Sequence, residues 1–541
     1  MRAMDKLTES DLERAVRALG QPLLEFLCGT SLEQMPDTPA AVSLIREING
    51  VLSTVVEGNK DPAAMTQYLR YRMAEIVDGE VLAYGLHKEI CGGVELPSAG
   101  DPLSGMVGQL AAQAYPVLLL PKEQQMEGFP ELPNHQLSSV LFRHPLANQF
   151  QEGVLQDADL AAVFRNSSEH SGHTTDMIFR STGRGSSLQL WTLLSIVIEG
   201  AWRARNRSTP AQSVIEFSQV AVQRWQLVRS ALTRQAGIKV AARMAFTGVR
   251  LPDAAPYSFG DLTVRPVDEQ DRQYMPHGLA GHLTGTDAEG NTVVVDYSGD
   301  VVAETPIPYL LRFRDADPDV VPSFPRDVLA PRSRADELGQ RLRASLLLAV
   351  TRDHRVQLVP SWQSIDDPLE YVPSMGWDDP RQAVGLMPTQ LTEEEMLQWQ
   401  EWFGLLGTPG AERISIALSR VLRAVGERRD PVDVLIDAVI AWENIFGSSQ
   451  GESTLRVTAS IARLIEDDAA KRDALRSSLA DIYKLRSKAV HGNGQPKDTE
   501  LPLCYDALTY AIQTLRKIFQ HRPDLLDHKD GTGRSLKLLL E

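Results

Sequence analysis

Arg486 and His491 stand five residues apart in the segment Arg486-Ser-Lys-Ala-Val-His491, and their side chains together suit chemistry on a phosphodiester. A histidine titrates near neutrality and moves a proton in either direction. An arginine carries a permanent charge on a planar donor fork that matches phosphate. RNA brings its own nucleophile, the 2′-hydroxyl that DNA lacks. On such a substrate His491 would take that proton or protonate the leaving 5′-oxygen. Arg486 would stabilise charge on the phosphorane-like transition state. The scheme asks for no metal and no cofactor. An isolated R-x4-H string also fits a helix-capping or phosphate-binding role.

The elements that must position these residues lie in the most periodic part of the chain. Leu475, Leu479, Ile482, Leu485 and Ala489 form the apolar stripe of a helix expected over about 469–488, with Arg486 at its border. Five residues turn an ideal helix through about 140°, so Arg486 and His491 diverge unless the helix ends or bends near 490, or a second copy completes the site. Gly492 and Gly494 supply the means for a break. The expected partners are helices at 411–425, 431–446, 453–466 and 501–518, joined by short connections that favour an antiparallel bundle. The second opens on Pro431 and stops at Gly447. Glu443 sits at the edge of its apolar face. It either reaches solvent, pairs with Arg486 or stabilises a nearby histidine. Lys484, Ser487 and Lys488, with Arg472 and Arg476 one face away, would supply contacts to RNA. Residues 471–491 hold six lysines and arginines against two aspartates.

Three stretches extend the pattern beyond one motif: LIDAVIAWENIF at 435–446, LRVTASIARLI at 455–465 and KRDALRSSLADIYKLRSKAVHG at 471–492. Together they resemble the HEPN superfamily, specifically the Apea-like HEPN domains of bacteria, over about 411–530. Members of that family carry an R-x4-6-H motif, commonly with a polar residue after the arginine. The matching positions here are Arg486, Ser487 and His491, and Glu443 matches a recurrent glutamate of the second helix. The resemblance implies a metal-independent ribonuclease, dimeric through the bundle, with two motifs facing one cleft and RNA, tRNA or mRNA, as substrate. It also implies a role in anti-phage defence by abortive infection or in a toxin-antitoxin pair, released by a phage-derived trigger. Some members instead bind nucleotides or act structurally, which leaves a non-catalytic module coupled to a sensing N-terminal region as the alternative.

A chain of 541 residues exceeds a single core, and we read five regions. These are a helical region over 1–120, a mixed and helical region with basic helices over 121–236, and a β-rich accessory segment over 237–330. A helix and irregular connector follows over 331–408, then the helical bundle over 409–541. The fold class is α+β and mainly helical, with a central antiparallel β-containing segment. Helices are expected at 187–205 and 212–236, strands at 238–250, 260–267 and 291–305, and irregular chain at 357–389. The segment around 238–312 looks loosely like the accessory region that precedes such bundles in large defence proteins. Thr392 and Glu395 form a capping box at the head of a further helix.

The net charge of −16 opposes a dedicated polyanion-coating protein. Residues 181–250 nevertheless carry +8 and residues 411–541 carry +1, leaving −25 for the remainder. The basic stretch from Arg203 to Arg250, with Trp202 and Trp225, either tracks an RNA backbone or packs against the acidic remainder. His170, His173 and Asp176 have ligand chemistry but lie in a Ser/Gly/Thr loop without the register of a metal site, and His277 and His282 read as loop residues. Phosphate-loop and dinucleotide glycine signatures are missing. The first residues read as an acidic amphipathic helix rather than a signal peptide, and no apolar run is long enough to span a membrane. Cys28, Cys91 and Cys504 are too far apart in sequence to suggest a local zinc knuckle or redox pair, so we expect reduced thiols and a cytoplasmic chain.

Overall fold

A computed structural model describes residues 7–33, 36, 38–53, 62–121, 135–164, 174–204, 213–268, 271, 274, 282–286, 292–296, 298–313, 325–352, 356–370, 374–377, 388–448, 453–490 and 496–541. The chain is mainly helical and carries small sheets, nearly all antiparallel.

The acidic opening of the chain folds as the helix Glu9–Leu19. Thr8 caps it, accepting from the Asp11 amide at 3.2 Å while the Asp11 carboxylate accepts from the Thr8 amide at 3.3 Å. The axis of the N-terminal half is Pro102–Leu118, buried along most of its length. Its Gly108 lets Val214–Arg234 approach closely: Ser218 Oγ donates to the Gly108 carbonyl at 3.0 Å, and a Cβ at 108 would meet that oxygen at 3.0 Å.

Two large apolar cores fill the molecule, and neighbouring strands run from one into the other. Val240 and Ala242 of Ile238–Thr247 belong to the N-terminal core, whereas Met244 and Phe246 on the same strand face belong to the C-terminal one. This strand lies inside a six-stranded antiparallel sheet. The order is Ser374–Trp377, Val359–Ile365, Ile238–Thr247, Val301–Tyr309, Leu262–Pro266, Tyr257–Phe259. Its longest ladder pairs Ile238–Thr247 with Val301–Tyr309, from Val301 opposite Phe246 to Tyr309 opposite Ile238.

Three expectations need correction. Residues 357–389 are not uniformly irregular, because Val359–Ile365 and Ser374–Trp377 complete the large sheet. Pro360 lacks an amide hydrogen and falls where the register shifts between Pro360 and Trp362, so the ladder absorbs it at an irregularity. The chain then turns inward, where Asp367 is fully buried. Its carboxylate accepts from Tyr309 Oη at 3.0 Å and Thr182 Oγ1 at 2.9 Å, with Arg180 Nη1 at 3.5 Å. Residues 187–189 are not helical: Thr174–Arg180 and Gly185–Gln189 form a hairpin, turned at Gly183 (φ 84°), and a 3-10 turn at Leu190–Thr192 leads into the α-helix that begins at Leu193. β structure therefore extends well outside 237–330. His282 opens a strand, His282–Thr286, instead of lying in a loop.

The C-terminal helices fall close to their expected positions. They are Ser415–Gly426, Pro431–Phe446, Ser453–Ile465, Ala469–Val490 and Leu501–His521, followed by Gly531–Leu540, which the periodicity did not reveal. Asp430 caps the second, accepting from the Val432 amide at 2.8 Å, and Pro431 occupies the first turn. Buried Asp437 in the same helix binds Arg420 Nη1 and Arg428 Nε, each at 2.7 Å. The bundle core is continuous with Leu342 and Leu346 of Ala330–Ala349, with Trp399 and Trp402 of Glu393–Leu405, and with the sheet. The capping box of Glu393–Leu405 is present, with Glu395 N donating to Thr392 Oγ1 at 3.2 Å and Thr392 N to Glu395 Oε2 at 2.9 Å.

Candidate functional site

The second and fourth bundle helices meet edge to edge, and their packing brings Glu443, Tyr483 and Arg486 together. Glu443 lies on the last turn of Pro431–Phe446, at the edge of the face that buries Leu435, Val439, Trp442 and Phe446. Tyr483 and Arg486 are three residues apart on Ala469–Val490 and so share one face. The buried stripe beside them is Leu479, Ile482 and Leu485; Leu475 is partly buried against the core, and Ala489 is only half-buried. Tyr483 Oη donates to Glu443 Oε1, and Arg486 Nη2 stands 3.6 Å from Glu443 Oε2. The carboxylate thus holds a neutral donor on one oxygen and a cation on the other.

Arg486 is 22% exposed, and its Nε is buried without a hydrogen-bond partner. The guanidinium is therefore restrained on the Glu443 side while the side chain keeps access to solvent. Tyr483 ionises above its ordinary range because burial disfavours the phenolate, and its bond to the Glu443 carboxylate adds to the effect. The Ser453 hydroxyl and the Arg486 charge pull the other way. Tyr483 is the member of this group that the sequence reading missed. Its only signal was a position one turn before Arg486, on the border of the apolar stripe.

His491 lies outside the described residues, as do Gly492 and Gly494. Ala469–Val490 runs to the residue before it. Of the other cations expected to meet RNA, Lys484 is exposed and pairs with Asp481 at 3.0 Å, and Lys488 faces Glu500 at 3.9 Å. Ser487 is half-buried between them in sequence. Arg472 and Arg476 are not brought to Arg486. A rise of 1.5 Å per residue places them roughly 21 and 15 Å back along the helix. Arg472 donates to the Glu466 and Asp467 carbonyls at 2.9 and 2.7 Å, just beyond Ser453–Ile465, and Arg476 pairs with Asp473 at 3.1 Å.

In the basic stretch near 203–250 both tryptophans and three arginines are engaged inside the molecule, Arg234, Lys239 and Arg250 are exposed, and Arg205 and Arg207 lie outside the described residues. Trp225 is fully buried against Phe150, with ring centroids 5.0 Å apart, and Trp202 packs on Tyr115 and Phe217. Arg224 binds Asp366 at 3.1 Å and the Asp367 carbonyl at 2.8 Å; Arg229 binds Asp157 at 2.7 Å; Arg243 binds Glu304 at 3.0 Å. Arg224, Arg229 and Arg243 thus pack against the acidic remainder, and neither tryptophan is open to stack a base. His170, His173 and His277 fall outside the described residues. Among the described residues, no three His, Cys, Asp or Glu side chains are grouped to hold a metal, and no helix is long and apolar enough to cross a membrane.

Arginine fork, carboxylate and phenol can bind a phosphate and hold that binding group in one orientation. The Glu443 carboxylate is taken up by Tyr483 and Arg486, and the Tyr483 phenol is held neutral by its burial, so the trio positions a substrate and leaves proton transfer to a further group. No protein-family model matches this chain, and no curated protein or solved structure is detectably similar to it.

Proposed function

We propose that the C-terminal bundle is a metal-independent endoribonuclease unit in which Arg486 binds the scissile phosphate and His491 handles the protons. The observation that carries the reading is the Glu443–Arg486 pair, which fixes a partly exposed guanidinium five residues before a histidine. Glu443 is then a positioning residue, and Tyr483 holds it in turn. The 2′-hydroxyl of RNA attacks the adjacent phosphate, His491 takes or returns a proton, and Arg486 offsets the charge that develops. Lys484, Ser487 and Lys488 lie within a turn of Arg486 and would meet the flanking backbone. A homodimer through the bundle would set two such sites in one cleft. The setting we propose is cytoplasmic anti-phage defence, with activity held back until a phage-derived trigger engages the N-terminal half.

Purified protein incubated with labelled RNA, with and without chelator, tests this reading. Cleavage that survives chelation, disappears in His491→Ala and falls at least about 100-fold in Arg486→Ala is expected. Glu443→Gln should lower cleavage less than Arg486→Ala, because it frees the arginine without removing it. Cleavage unchanged by His491→Ala would overturn the assignment.

A second reading rests on the same contacts. Arg472 and Arg476 are held by their own helix and its neighbour, and Glu443 and Tyr483 already occupy one side of Arg486. The bundle would then be a non-catalytic module for dimerisation or for nucleotide or RNA binding. It predicts that His491→Ala leaves phage protection intact while disruption of the bundle abolishes it.

A further inference from the structure

Cys28 and Cys91 are distant in sequence, yet the fold sets them side by side. Each ends a helix, Gln21–Cys28 and Leu82–Cys91, and each helix stops at a left-handed glycine, Gly29 (φ 65°) and Gly92 (φ 91°). The two helices are locked in register by the Phe26 and His87 rings, stacked with centroids 4.1 Å apart, and by His87 Nδ1 at 2.7 Å from the Phe26 carbonyl. The Cys91 thiol donates to the Leu27 carbonyl at 3.5 Å. That carbonyl belongs to the peptide unit ending at the Cys28 Cα, so standard peptide dimensions put the Cys91 sulfur no more than about 6 Å from that Cα. The same sulfur stands 2.6 Å from where a Cβ on residue 29 would be, so glycine is needed there both for its φ and to make room for the thiol. A disulfide joins Cα atoms about 4.4–6.8 Å apart, and with the Cys91 sulfur already this near the Cys28 Cα, a small approach of the two helix ends together with rotation of the side chains brings the sulfurs into bonding range. Cys28 is buried, Cys91 is exposed, and both are free thiols.

We propose that Cys28 and Cys91 are a reversible redox pair that closes to a disulfide when a small-molecule disulfide reacts at Cys91. The exposed Cys91 thiolate, its proton released to water, attacks one sulfur of the oxidant. The oxidant's S–S bond breaks and one small thiolate leaves, picking up a proton. The Cys28 thiolate, deprotonated in the same way, then attacks the Cys91 sulfur and expels the second small thiolate. Two protein thiols are oxidised to one disulfide, and one small disulfide is reduced to two thiols. Burial raises both thiols, Cys28 to about 11, so closure is slow at neutral pH and quickens as pH rises. Closure would staple the second helix of the chain to Leu82–Cys91 and fix the N-terminal helices as one unit. Cys504, buried in the C-terminal bundle, has no part in it.

The test uses the full-length reduced protein, incubated with oxidised glutathione at pH 8, acid-quenched, denatured and labelled with a maleimide before peptide mapping. The expected result is a cross-linked pair of peptides containing Cys28 and Cys91, with Cys504 alone still labelling. Cys28→Ser should stop at a glutathione adduct on Cys91. The proposal is overturned if wild-type protein also stops at that adduct with Cys28 still labelling. It is equally overturned if all three thiols label, or if the linked species has twice the chain mass.

Discussion

A carboxylate near neutral pH is only as useful as what surrounds it, and two glutamates of this chain show the contrast. Glu443 is partly exposed, accepts from Tyr483 and faces Arg486, so its charge is compensated on both oxygens. Glu199, on Leu193–Ala204, is only 8% exposed, and its Oε1 lacks a hydrogen-bond partner. Burial pushes its carboxyl up to about 7, with Arg203 one turn on drawing it partly back. The folded state therefore holds this proton to higher pH than the unfolded chain does. Its stabilising contribution is complete below about pH 4.5 and is lost as pH rises through about 7. By about 1.4 kcal/mol per pH unit, the loss is on the order of 3 kcal/mol by pH 8. Urea titrations at pH 5 and pH 8 should show Glu199→Gln as the more stable protein at pH 8, with the gap closing at pH 5. Equal pH dependence of the two proteins would refute the assignment.

Among helices and strands, several ends are closed by arginines from elsewhere in the chain. Arg534, 1% exposed, donates from Nε to the Ile445 carbonyl at 2.7 Å, from Nη2 to Asn444 at 2.8 Å and from Nη1 to His528 at 2.9 Å. It thereby satisfies carbonyls left over at the end of Pro431–Phe446, directly beside Glu443, and meets the negative end of the helix dipole. Arg534→Met keeps the length and removes the donors. It should destabilise the protein by on the order of 3 kcal/mol, since buried carbonyls lose their partners. Because Glu443 lies on this helix end, the proposed RNA cleavage should fall with it even under conditions where the variant stays folded. A denaturant midpoint within experimental error of wild type would show the cap to be dispensable.

For the molecule as a whole, the bundle is built into its surroundings instead of being strung from them. Arg516 of Leu501–His521 donates to the Leu347 and Leu348 carbonyls at 2.9 Å, closing the end of Ala330–Ala349. Trp402 lies edge-on to Phe519 at 6.0 Å, and Trp399 Nε1 donates to the Leu342 carbonyl at 3.1 Å. A fragment of residues 409–541 would strip this cover from the apolar side of Leu501–His521. It should bind an apolar dye and melt well below the full chain, whereas a fragment that begins at residue 238 retains the second core. A cooperative melt for 409–541 at the full-length temperature would show the bundle to be independent. The same continuity offers a mechanical route from the N-terminal core, along Ile238–Thr247, to the bundle.

What the sequence determined by itself is what depends on neighbours along the chain. Period and punctuation place the bundle helices, because Leu, Val and Ile at helical spacing together with Pro431 and Gly447 act within a few residues. The Thr392–Glu395 box is local in the same sense, and the Arg486-to-His491 spacing is readable without any fold. The strand Val359–Ile365 was not readable, because Pro360 weakens the local signal and the partner that joins it to the large sheet lies more than a hundred residues earlier. Gly531–Leu540 was missed where glycines open a short helix. Tyr483 looked like part of a helix border until the second helix laid Glu443 against it. The pairing of Cys28 with Cys91 and the burial of Trp225 likewise follow from which surfaces meet. Tertiary packing alone decided these, because side-chain roles are set by contacts between elements, and for elements far apart in the chain the sequence does not say which of them touch.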